Sequence, residues 1–394
     1  MIIDPMSKLP LIIIGCTAAL CSVLSAQNKM RPTWSDEFQG RGAPDRNKWT
    51  FEQGFQRNQE LQWYQNNAWQ ENGELIIEAR REPVRNTKHV AGSPHWYANR
   101  QHAQYTSASL RTVEKYYFQY GRMQVRAKIP CVPGAWPAIW TLGKKGEWPN
   151  NGECDLLEYY KPDIILANTV KGTTKPYHAA WDTAKFPVST QFAAVDSDWR
   201  NQYHVWTMQW DEENIRLYVD NVLLNTSPQP WLQNAVTTWG PKHPFKQPHE
   251  ILLNLAIGGN GGDPSKTTFP IRYYIDYVRV WEGYTTNQAP TDLALPQNQV
   301  TEGQPAGTVV GKLYAADPDP AEVISYSLVN GEGATHNAAF SVSFVSGETR
   351  ASVLKTKEVL KSEGGSTRSI RVRATDIEGA TYEKVLTIQV KKAA

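Results

Sequence analysis

Three acidic residues lie within six positions of a stretch that is otherwise apolar and aromatic. They are Glu153, Asp155 and Glu158, in the segment Glu147–Tyr160. A buried carboxylate is costly unless it is paired or takes part in chemistry. Two neighbouring carboxylates can cleave a glycosidic bond, one as nucleophile and the other as proton donor. The acids therefore point to bond cleavage in a sugar chain as the first hypothesis.

The spacing of the acids sets a geometric condition on this hypothesis. Glu153 and Asp155 share one face of a strand, because side chains alternate. Glu158 joins that face only if a β-bulge at Leu156–Leu157 adds one unmatched residue. The two glutamates are then roughly 13 Å apart at Cα, with about 3.3 Å per residue. If each side chain leans inward by roughly 4 Å, the carboxyl groups are about 5 Å apart, as in retaining glycosidases.

Two alternatives to a catalytic role are an acidic strand that faces solvent and a set of carboxylates that holds a cation. Trp136, Trp140 and Trp148 lie close to the acids in the sequence and do not fit an ordinary wet surface. A sugar ring has an apolar face that stacks on indole. We therefore predict that these tryptophans bind the sugar chain, although Trp140, on an apolar strand, fits a core position equally well.

The elements that must position these side chains are predicted to be β-strands. Short runs with a period of two are separated by turn residues, and none of residues 31–284 sustains a helical period. The clearest runs are Glu74–Arg80, Gly121–Ile129, His204–Trp210, Ile215–Val219 and Tyr274–Trp281. About 250 residues of this kind predict one large two-sheet sandwich of the jelly-roll type.

The tail of the chain is predicted to be a second domain, from the linker at residue 285 to residue 394. All 15 tryptophans lie between Trp34 and Trp281, so the tail has none. Its short strands are predicted at Val309–Tyr314, Ile324–Val329, Phe340–Val345, Ser369–Ala374 and Val385–Val390. This pattern over about 100 residues predicts a small Greek-key sandwich.

The first 26 residues are predicted to be a secretory signal peptide. Leu9–Leu24 is almost wholly apolar, follows Lys8 and precedes Ser25–Ala26, which is the pattern of a cleaved signal. An uncleaved anchor and lipoprotein cleavage at Cys16 are the alternatives. The apolar run continues past Cys16, which favours cleavage near Ala26. We expect a secreted, periplasmic or cell-surface protein without a transmembrane segment in the mature chain.

Charge and cysteine content exclude several classes of protein. The 41 Lys and Arg against 39 Asp and Glu give a net charge of +2, which argues against a nucleic-acid binder with its basic surface. Cys16 and Cys21 are predicted to leave with the signal. Cys131 and Cys154 remain, and we predict two buried free thiols rather than a disulfide.

The active-site segments resemble those of glycoside hydrolase family 16. The resemblance rests on Gly134–Trp140, Trp148–Pro149 and Gly152–Glu158. It continues in the family's order through further segments: Trp34–Phe38, Glu60–Tyr64, Asn72–Leu75, Tyr105–Ala108, Leu253–Gly259 and Ile275–Val280. It extends over residues 31–284 and implies a concanavalin-like jelly roll with a carbohydrate cleft on one sheet.

The resemblance also implies roles for the acids. Glu153 would be the nucleophile, Asp155 the assisting residue and Glu158 the general acid/base, with no cofactor required for catalysis. Asn58 and His178 lie on segments that resemble cleft strands and are predicted to contact substrate.

Trp148–Pro149 and Gly134–Trp140 look most like the corresponding segments of laminarinases, so a β-1,3-glucan is the first predicted substrate. Cys154 and the sequence of Leu156–Tyr160 differ from the usual laminarinase pattern. A galactan, agarose or lactosamine polymer therefore remains an alternative substrate. A lectin-like protein without activity is the alternative from another functional class.

Two further expectations come from resemblance. Family members often carry a structural calcium ion far from the acids, and the matching positions are Glu37, Gly73 and Asp276. The tail resembles a cadherin-like repeat at Asn287–Pro290, Glu302, Asp317–Asp319 and Arg373–Asp376. Comparable acids bind calcium between adjacent repeats, but this chain has a single repeat, so a spacer or protein-contact role is predicted for the tail.

Overall fold

The computed structural model describes residues 31–283, 287–319, 322–362 and 367–393. The predicted signal peptide lies outside the described residues, as does part of the linker. The larger domain is built from strands β1 (Trp34–Asp36), β2 (Thr50–Phe51), β3 (Gln62–Tyr64), β4 (Ala68–Glu71), β5 (Glu74–Ala79), β6 (Val84–Arg85), β7 (His102–Ala103), β8 (Tyr105–Ser107), β9 (Ser109–Arg111), β10 (Gly121–Lys128), β11 (Ala135–Gly143), β12 (Glu153–Tyr160), β13 (Ile164–Gly172), β14 (Ala179–Pro187), β15 (His204–Trp210), β16 (Asn214–Val219), β17 (Val222–Pro228), β18 (His249–Ile257) and β19 (Ile271–Trp281).

Helical structure in the described residues is confined to single turns. These are α1 (Trp96–Asn99), α2 (Val188–Gln191) and the 3₁₀ turns Trp199–Asn201, Gly259–Gly261 and Asn337–Ala339. No helix in the described ranges has the length and apolar character needed to span a membrane. The predicted all-β fold is confirmed.

Two antiparallel sheets face each other in the larger domain. The first, here called the cleft sheet, has the order β14-β13-β12-β11-β18-β9-β2. The second, the back sheet, has the order β17-β16-β15-β10-β19-β5-β4, with β1 added on β19. The predicted run at His204–Trp210 has the bounds of β15, whereas the run predicted from Tyr274 begins three residues earlier, at Ile271.

The core lies between the two sheets because side chains alternate along each strand. In β10, Met123, Val125 and Ala127 are fully buried in this core. The intervening Arg122 and Gln124 therefore point to the outer face of the back sheet. Cys131 and Cys154 are unpaired thiols, as predicted, but only Cys154 is buried, whereas Cys131 is partly exposed.

The tail domain has its own core between two four-stranded sheets. Its strands are β20 (Asp292–Ala294), β21 (Gln299–Thr301), β22 (Val309–Ala316), β23 (Ser325–Leu328), β24 (Phe340–Phe344), β25 (Ala351–Thr356), β26 (Thr367–Thr375) and β27 (Thr381–Lys391). The sheet orders are β20-β22-β25-β24 and β21-β27-β26-β23. The sequence pattern missed β20, β21 and β25, of which β20 and β21 are only three residues long.

The tail domain packs on the outer face of the back sheet, opposite the cleft sheet. Arg122 of β10 is fully buried and forms ion pairs with Glu322 and Glu378 of the tail. Nearby, Tyr218 of β16 donates its hydroxyl hydrogen bond to the Ile377 carbonyl oxygen at 3.2 Å. The tail is therefore docked on the larger domain through buried charge and not only through the linker.

Candidate active site

Strand β12 carries the three acids on the open face of the cleft sheet. Glu153, Asp155 and Glu158 all line one cleft. Tyr160, at the end of the strand, also lines the cleft. The other four side chains pack in the core between the sheets: Cys154, Leu156, Leu157 and Tyr159. The alternation of buried and cleft-facing residues thus matches a strand with one irregular step between Asp155 and Glu158.

That step is a β-bulge. Pairing of β12 with β11 passes from Asp155 to Leu157 across adjacent residues of β11, so Leu156 is unmatched. The register with β13 shifts over the same interval, between Asp155 and Glu158. Without the extra residue, Glu158 would point into the core. The bulge predicted at Leu156–Leu157 is confirmed.

Indole N–H groups donate to both glutamates. Trp148 Nε1 donates to Glu153 Oε2 at 2.7 Å. Trp136 Nε1 donates to Glu158 Oε1 at 3.0 Å. The two tryptophans therefore orient the acids as well as bordering the cleft, a role that sequence spacing alone does not reveal.

Asn168, on the neighbouring strand β13, joins two of the acids. Its Nδ2 donates to Asp155 Oδ2 at 3.1 Å and to Glu158 Oε2 at 2.8 Å. The Tyr160 hydroxyl donates to Glu158 Oε1 at 3.4 Å. Sequence reasoning did not select Asn168, because its proximity to the acids depends on the pairing of β12 with β13.

Trp140 forms part of the cleft floor. It is 7% exposed, packs with Ala138 and Leu252, and donates through Nε1 to Asn254 Oδ1 at 2.7 Å. The Arg57 guanidinium lies 5.0 Å from its ring centroid. The ring is therefore packed as at a core position and also borders the cleft, while its contact with the sugar chain stays a prediction.

Burial raises the pKa of all three acids. Desolvation raises the pKa of Glu153 to about 7, and desolvation together with the charge of Glu153 raises that of Glu158 to about 8. The pKa of Asp155 lies well above its ordinary value, first through desolvation and then through the two glutamate charges. Three close acids in a desolvated site cannot all ionise at neutral pH. The higher pKa of Glu158 favours a proton there while Glu153 is ionised.

The cleft around the acids has a volume of about 400 Å³. Apolar walls with a few polar groups are typical of a ligand site. Besides the acids and the predicted tryptophans, the lining includes Arg57, Asn58, Glu60, Ala138, Leu142, Tyr160, Trp181, Asn254 and Asn260. Of these, Asn58 was predicted as a substrate contact. Trp181 could have been suspected from its place in an alternating strand with polar neighbours.

The loop that carries Asn58 approaches the cleft from outside the sheet. Asn58 has a positive φ of 55°, a conformation that asparagine tolerates better than most residues. Arg57 beside it forms a partly buried ion pair with Glu52. Burial also raises the pKa of Glu60 to about 7. Polar and charged groups therefore border this end of the cleft.

Comparison with protein families agrees with this geometry. A family model described as glycosyl hydrolases family 16 matches residues 55–279, more than half of the chain. The chain belongs to glycosyl hydrolases family 16. A cadherin domain model matches residues 296–391 of the tail. The protein is an endo-acting β-glycanase of family 16 with a polysaccharide substrate.

Relatives of this family 16 protein come from several groups. The beta-glucanase of Rhodothermus marinus is 35% identical over 289 residues, 68% of this chain and 91% of the relative. The glucan endo-1,3-beta-glucosidase A1 of Niallia circulans is 32% identical over 64% of this chain and 38% of the relative. A solved structure, from work on human gut bacteria that express endo-acting O-glycanases to initiate mucin breakdown, is 32% identical. It has a TM-score of 0.57 and covers 64% of this chain and 91% of that chain.

The structure does not bring His178 to the family 16 cleft. His178 is exposed in the connection between β13 and β14, and its backbone pairs with Thr173 and Lys175. It is not among the residues that line the cleft. The structure therefore places His178 outside the cleft lining, because the connection that carries it extends beyond the strands that form the cleft floor.

The residues predicted for a calcium ion are engaged otherwise. Glu37 forms a bidentate pair with Arg279 at 2.7 and 2.9 Å, and Asp276 pairs with Arg126 at 2.6 Å. Gly73 lies in the turn between β4 and β5. Calcium prefers several oxygen ligands with net negative charge. Carboxylates already neutralised by arginine do not fit that description, and calcium at this position stays an untested prediction.

Within the described ranges, one group of acids has ligand atoms close enough for a cation. It comprises Asp317, Asp319 and Glu322 in the cadherin domain, where the sequence resemblance placed Asp317–Asp319. Two arginines reach this group, since Arg122 pairs with Glu322 and Arg350 donates to the Asp317 and Asp319 carbonyl oxygens. Of these three acids, Glu322 is thus part of the contact between the domains.

Proposed function

We propose that this protein is a secreted, retaining endo-β-glycanase whose first substrate is a β-1,3-glucan of the laminarin type. The observation that carries the proposal is the bulged strand β12, which directs Glu153, Asp155 and Glu158 to one open face. Two relatives bear the names of a beta-glucanase and a glucan endo-1,3-beta-glucosidase, which supports the substrate class.

In the first step Glu158 gives its proton to the glycosidic oxygen while Glu153 attacks the anomeric carbon. The bond to the leaving chain breaks, and an ester forms between Glu153 and the sugar. In the second step the ionised Glu158 takes a proton from water, and the water oxygen displaces Glu153 from the anomeric carbon. Both acids return to their starting protonation states, and two displacements retain the anomeric configuration.

Asp155 assists as a hydrogen-bond donor in this scheme. Its pKa lies well above the ordinary value, first through desolvation and then through the charges of Glu153 and Glu158, and this favours the protonated form of Asp155. The hydrogen bond between Asp155 and Glu153 lowers the pKa of Glu153 and raises that of Asp155. A protonated Asp155 therefore stabilises and orients the ionised nucleophile.

A galactan or lactosamine polymer is the second candidate substrate. The observation in its favour is the likeness to the structure from bacteria with endo-acting O-glycanases, over nearly the whole of that chain. Cys154 carries no weight here, because its side chain is fully buried in the core and does not reach the cleft.

A product profile on a polysaccharide panel tests the proposal. The panel holds laminarin, mixed-linkage glucan, agarose, porphyran, carrageenan and poly-N-acetyllactosamine, with Glu158→Gln as the control. Oligosaccharides from laminarin, initially of the β anomer by NMR, are expected. Release from a galactan or lactosamine polymer would keep the mechanism and change the substrate. Binding without cleavage would favour the lectin-like alternative.

The proposed secretion has its own test. Expression of the full chain with its N-terminus, followed by mass spectrometry of the exported protein, should give a mature chain that begins after Ala26. A lipid-modified Cys16 or an intact N-terminus would contradict this part of the proposal.

A further inference from the structure

Exposed tryptophans single out one end of the cleft. All 15 tryptophans of the chain lie in described residues. Among them, only Trp148 and Trp181 are exposed, at 39% and 45%, and the others are buried or half-buried. Both line the cleft. Indole rings are usually well buried, so two exposed rings at one cleft point to a binding role.

The register of the cleft sheet places Trp181 relative to the nucleophile. Glu153 pairs with Val170 on β13, and Val170 pairs with Trp181 on β14. Residues that pair directly across strands point to the same face. With strands about 4.8 Å apart, Trp181 lies roughly 10 Å from Glu153 across the sheet. That distance excludes contact with the sugar unit that reacts and suits a unit farther along a chain that crosses the strands.

Tyr177 extends this aromatic end. It lies in the connection between β13 and β14 and is 66% exposed. Its hydroxyl donates to Glu147 Oε2 at 3.0 Å. Glu147 immediately precedes Trp148, so the hydrogen bond joins the hairpin of Trp181 to the loop of Trp148. The three exposed rings are therefore held on two connected segments.

The opposite end of the cleft is different. There the surface is formed mainly by polar groups, Asn58, Gln59 and Asn260, with Trp96 and Trp136 at its border. An apolar sugar face binds to an aromatic ring, whereas hydroxyl groups bind to amides. The two ends are thus suited to different contacts with the same chain.

We propose that Trp181 and Tyr177 form a stacking subsite for a sugar unit beyond those that flank the cleaved bond. The inference rests on the proposed function, because a subsite at the edge strand serves a chain that lies across the cleft. It follows that the enzyme binds long glycan chains more tightly than short ones, and that Trp181 contributes to this difference.

Binding to the Glu158→Gln protein tests the subsite without cleavage. The probes are a laminarin hexasaccharide and a poly-N-acetyllactosamine hexasaccharide, each with its disaccharide, measured by calorimetry. The double variant Glu158→Gln with Trp181→Ala should bind the hexasaccharide about tenfold more weakly than Glu158→Gln alone, because one aromatic contact is lost. Its binding to the disaccharide should be unchanged. Tyr177→Ala should have a smaller effect, and Tyr177→Phe should retain most of the affinity because the ring remains.

Trp69→Ala is the matched control, since Trp69 lies on β4, the edge strand of the back sheet. It removes an indole from an edge without touching the cleft. If Trp181→Ala leaves hexasaccharide affinity unchanged while the panel shows cleavage, the subsite is wrong and the proposed function stands. If neither probe binds and the panel shows no cleavage, the proposed function fails, and the subsite that rests on it fails too.

Discussion

The cleft and the interface between the domains each bury a cluster of acids, and they neutralise those acids differently. In the cleft, Glu153 and Glu158 accept hydrogen bonds from neutral indole, amide and hydroxyl groups. Neither forms an ion pair within the described residues. At the interface, Glu322 and Glu378 share the guanidinium of the fully buried Arg122.

The pKa values do not distinguish the acids of the cleft from the acids of the domain interface. Burial raises the pKa of Glu322 to about 8 despite Arg122, and that of Glu158 also to about 8. A perturbed pKa is therefore an incomplete criterion for a reactive site. What differs is access, because Glu158 lines an open cleft whereas the Glu322 side chain is fully buried between domains.

The comparison teaches how surroundings assign a role to the same residue type. Neutral donors orient a carboxylate and leave its proton free to move to a substrate. An arginine in a closed interface holds the carboxylate in one place, and removal of either partner leaves a buried charge unpaired. One cluster is suited to proton transfer and the other to holding two domains together.

Loss of the nucleophile should have the largest effect. Glu153→Gly is expected to lower hydrolysis of the polymer by roughly 10⁴-fold or more, because no covalent intermediate can form. Activity on a glycosyl fluoride of the α anomer should return in part. Glu322→Gln is the matched control from the interface and should retain activity per folded molecule. Rescue of Glu153→Gly by azide with retained configuration would reverse the assigned roles of Glu153 and Glu158.

Loss of the proton donor should depend on the leaving group. Glu158→Gln is expected to lower polymer hydrolysis by roughly 10²- to 10⁴-fold, the usual contribution of general acid/base catalysis. An aryl glycoside with a good leaving group needs no protonation, so its first step should be much less affected. Steady-state and burst kinetics on both substrates measure the difference. Equal losses on both would argue against Glu158 as the acid.

Loss of the interface arginine should affect stability and spare chemistry. Arg122→Met leaves the buried Glu322 without its partner, which should cost about 3–5 kcal/mol in the free energy of unfolding. Arg122→Met with Glu322→Leu should recover much of that loss, because no unpaired charge remains. Denaturant unfolding and kcat on the folded fraction are the measurements. A large change in kcat would mean that the interface is coupled to the cleft.

The pH dependence of kcat/KM should be bell-shaped. Activity requires an ionised Glu153, so it should fall below a pKa of about 7. It also requires a protonated Glu158, so it should fall above a pKa of about 8. Each limb should lose about tenfold per pH unit. Glu158→Gln, assayed on the aryl glycoside, should lack the alkaline limb, and an unchanged limb would assign it to another group.

The smallest expected effect is a difference in the free energy of unfolding between a variant of the cleft acids and a variant of the interface acids. A carboxyl whose pKa is raised in the folded state stabilises the protein only while it is protonated, and this contribution is lost as pH rises through the folded pKa. Above a pH of about 8, Glu158→Gln should therefore raise the free energy of unfolding by about 1 kcal/mol. The pKa of Glu322 is raised in the same way, but Glu322→Gln also removes the ion pair with Arg122, so its gain should be smaller. Unfolding curves at two pH values would show whether the two gains differ.

Much of the site could be predicted from local pattern. The period of two predicted the strands, and the five-residue separation of Glu153 and Glu158 required the bulge that the register shows. Trp136 and Trp148 were found because they are near the acids in the sequence. The predicted roles of the acids, and the substrate contacts of Asn58 and the tryptophans, stay predictions until they are measured.

Some features could not be predicted because they depend on contacts between distant segments. Asn168 reaches the acids only through the pairing of β12 with β13, and Arg57 meets Trp140 from a loop far away in the sequence. His178 was chosen by resemblance and lies outside the cleft lining. In the tail, the short strands β20 and β21 carry too few residues for a pattern to appear.

By itself the sequence determined the strand class, the two-domain division and the three acids, since each follows from neighbouring residues. Only the tertiary structure decided which donors hold Glu153 and Glu158, that Trp181 shares their face, and that Arg122 joins the tail to the back sheet. The physical reason is that alternation along a strand is a local property. Strand register and domain docking bring together residues that the sequence separates, and burial between them sets the pKa values and ion pairs.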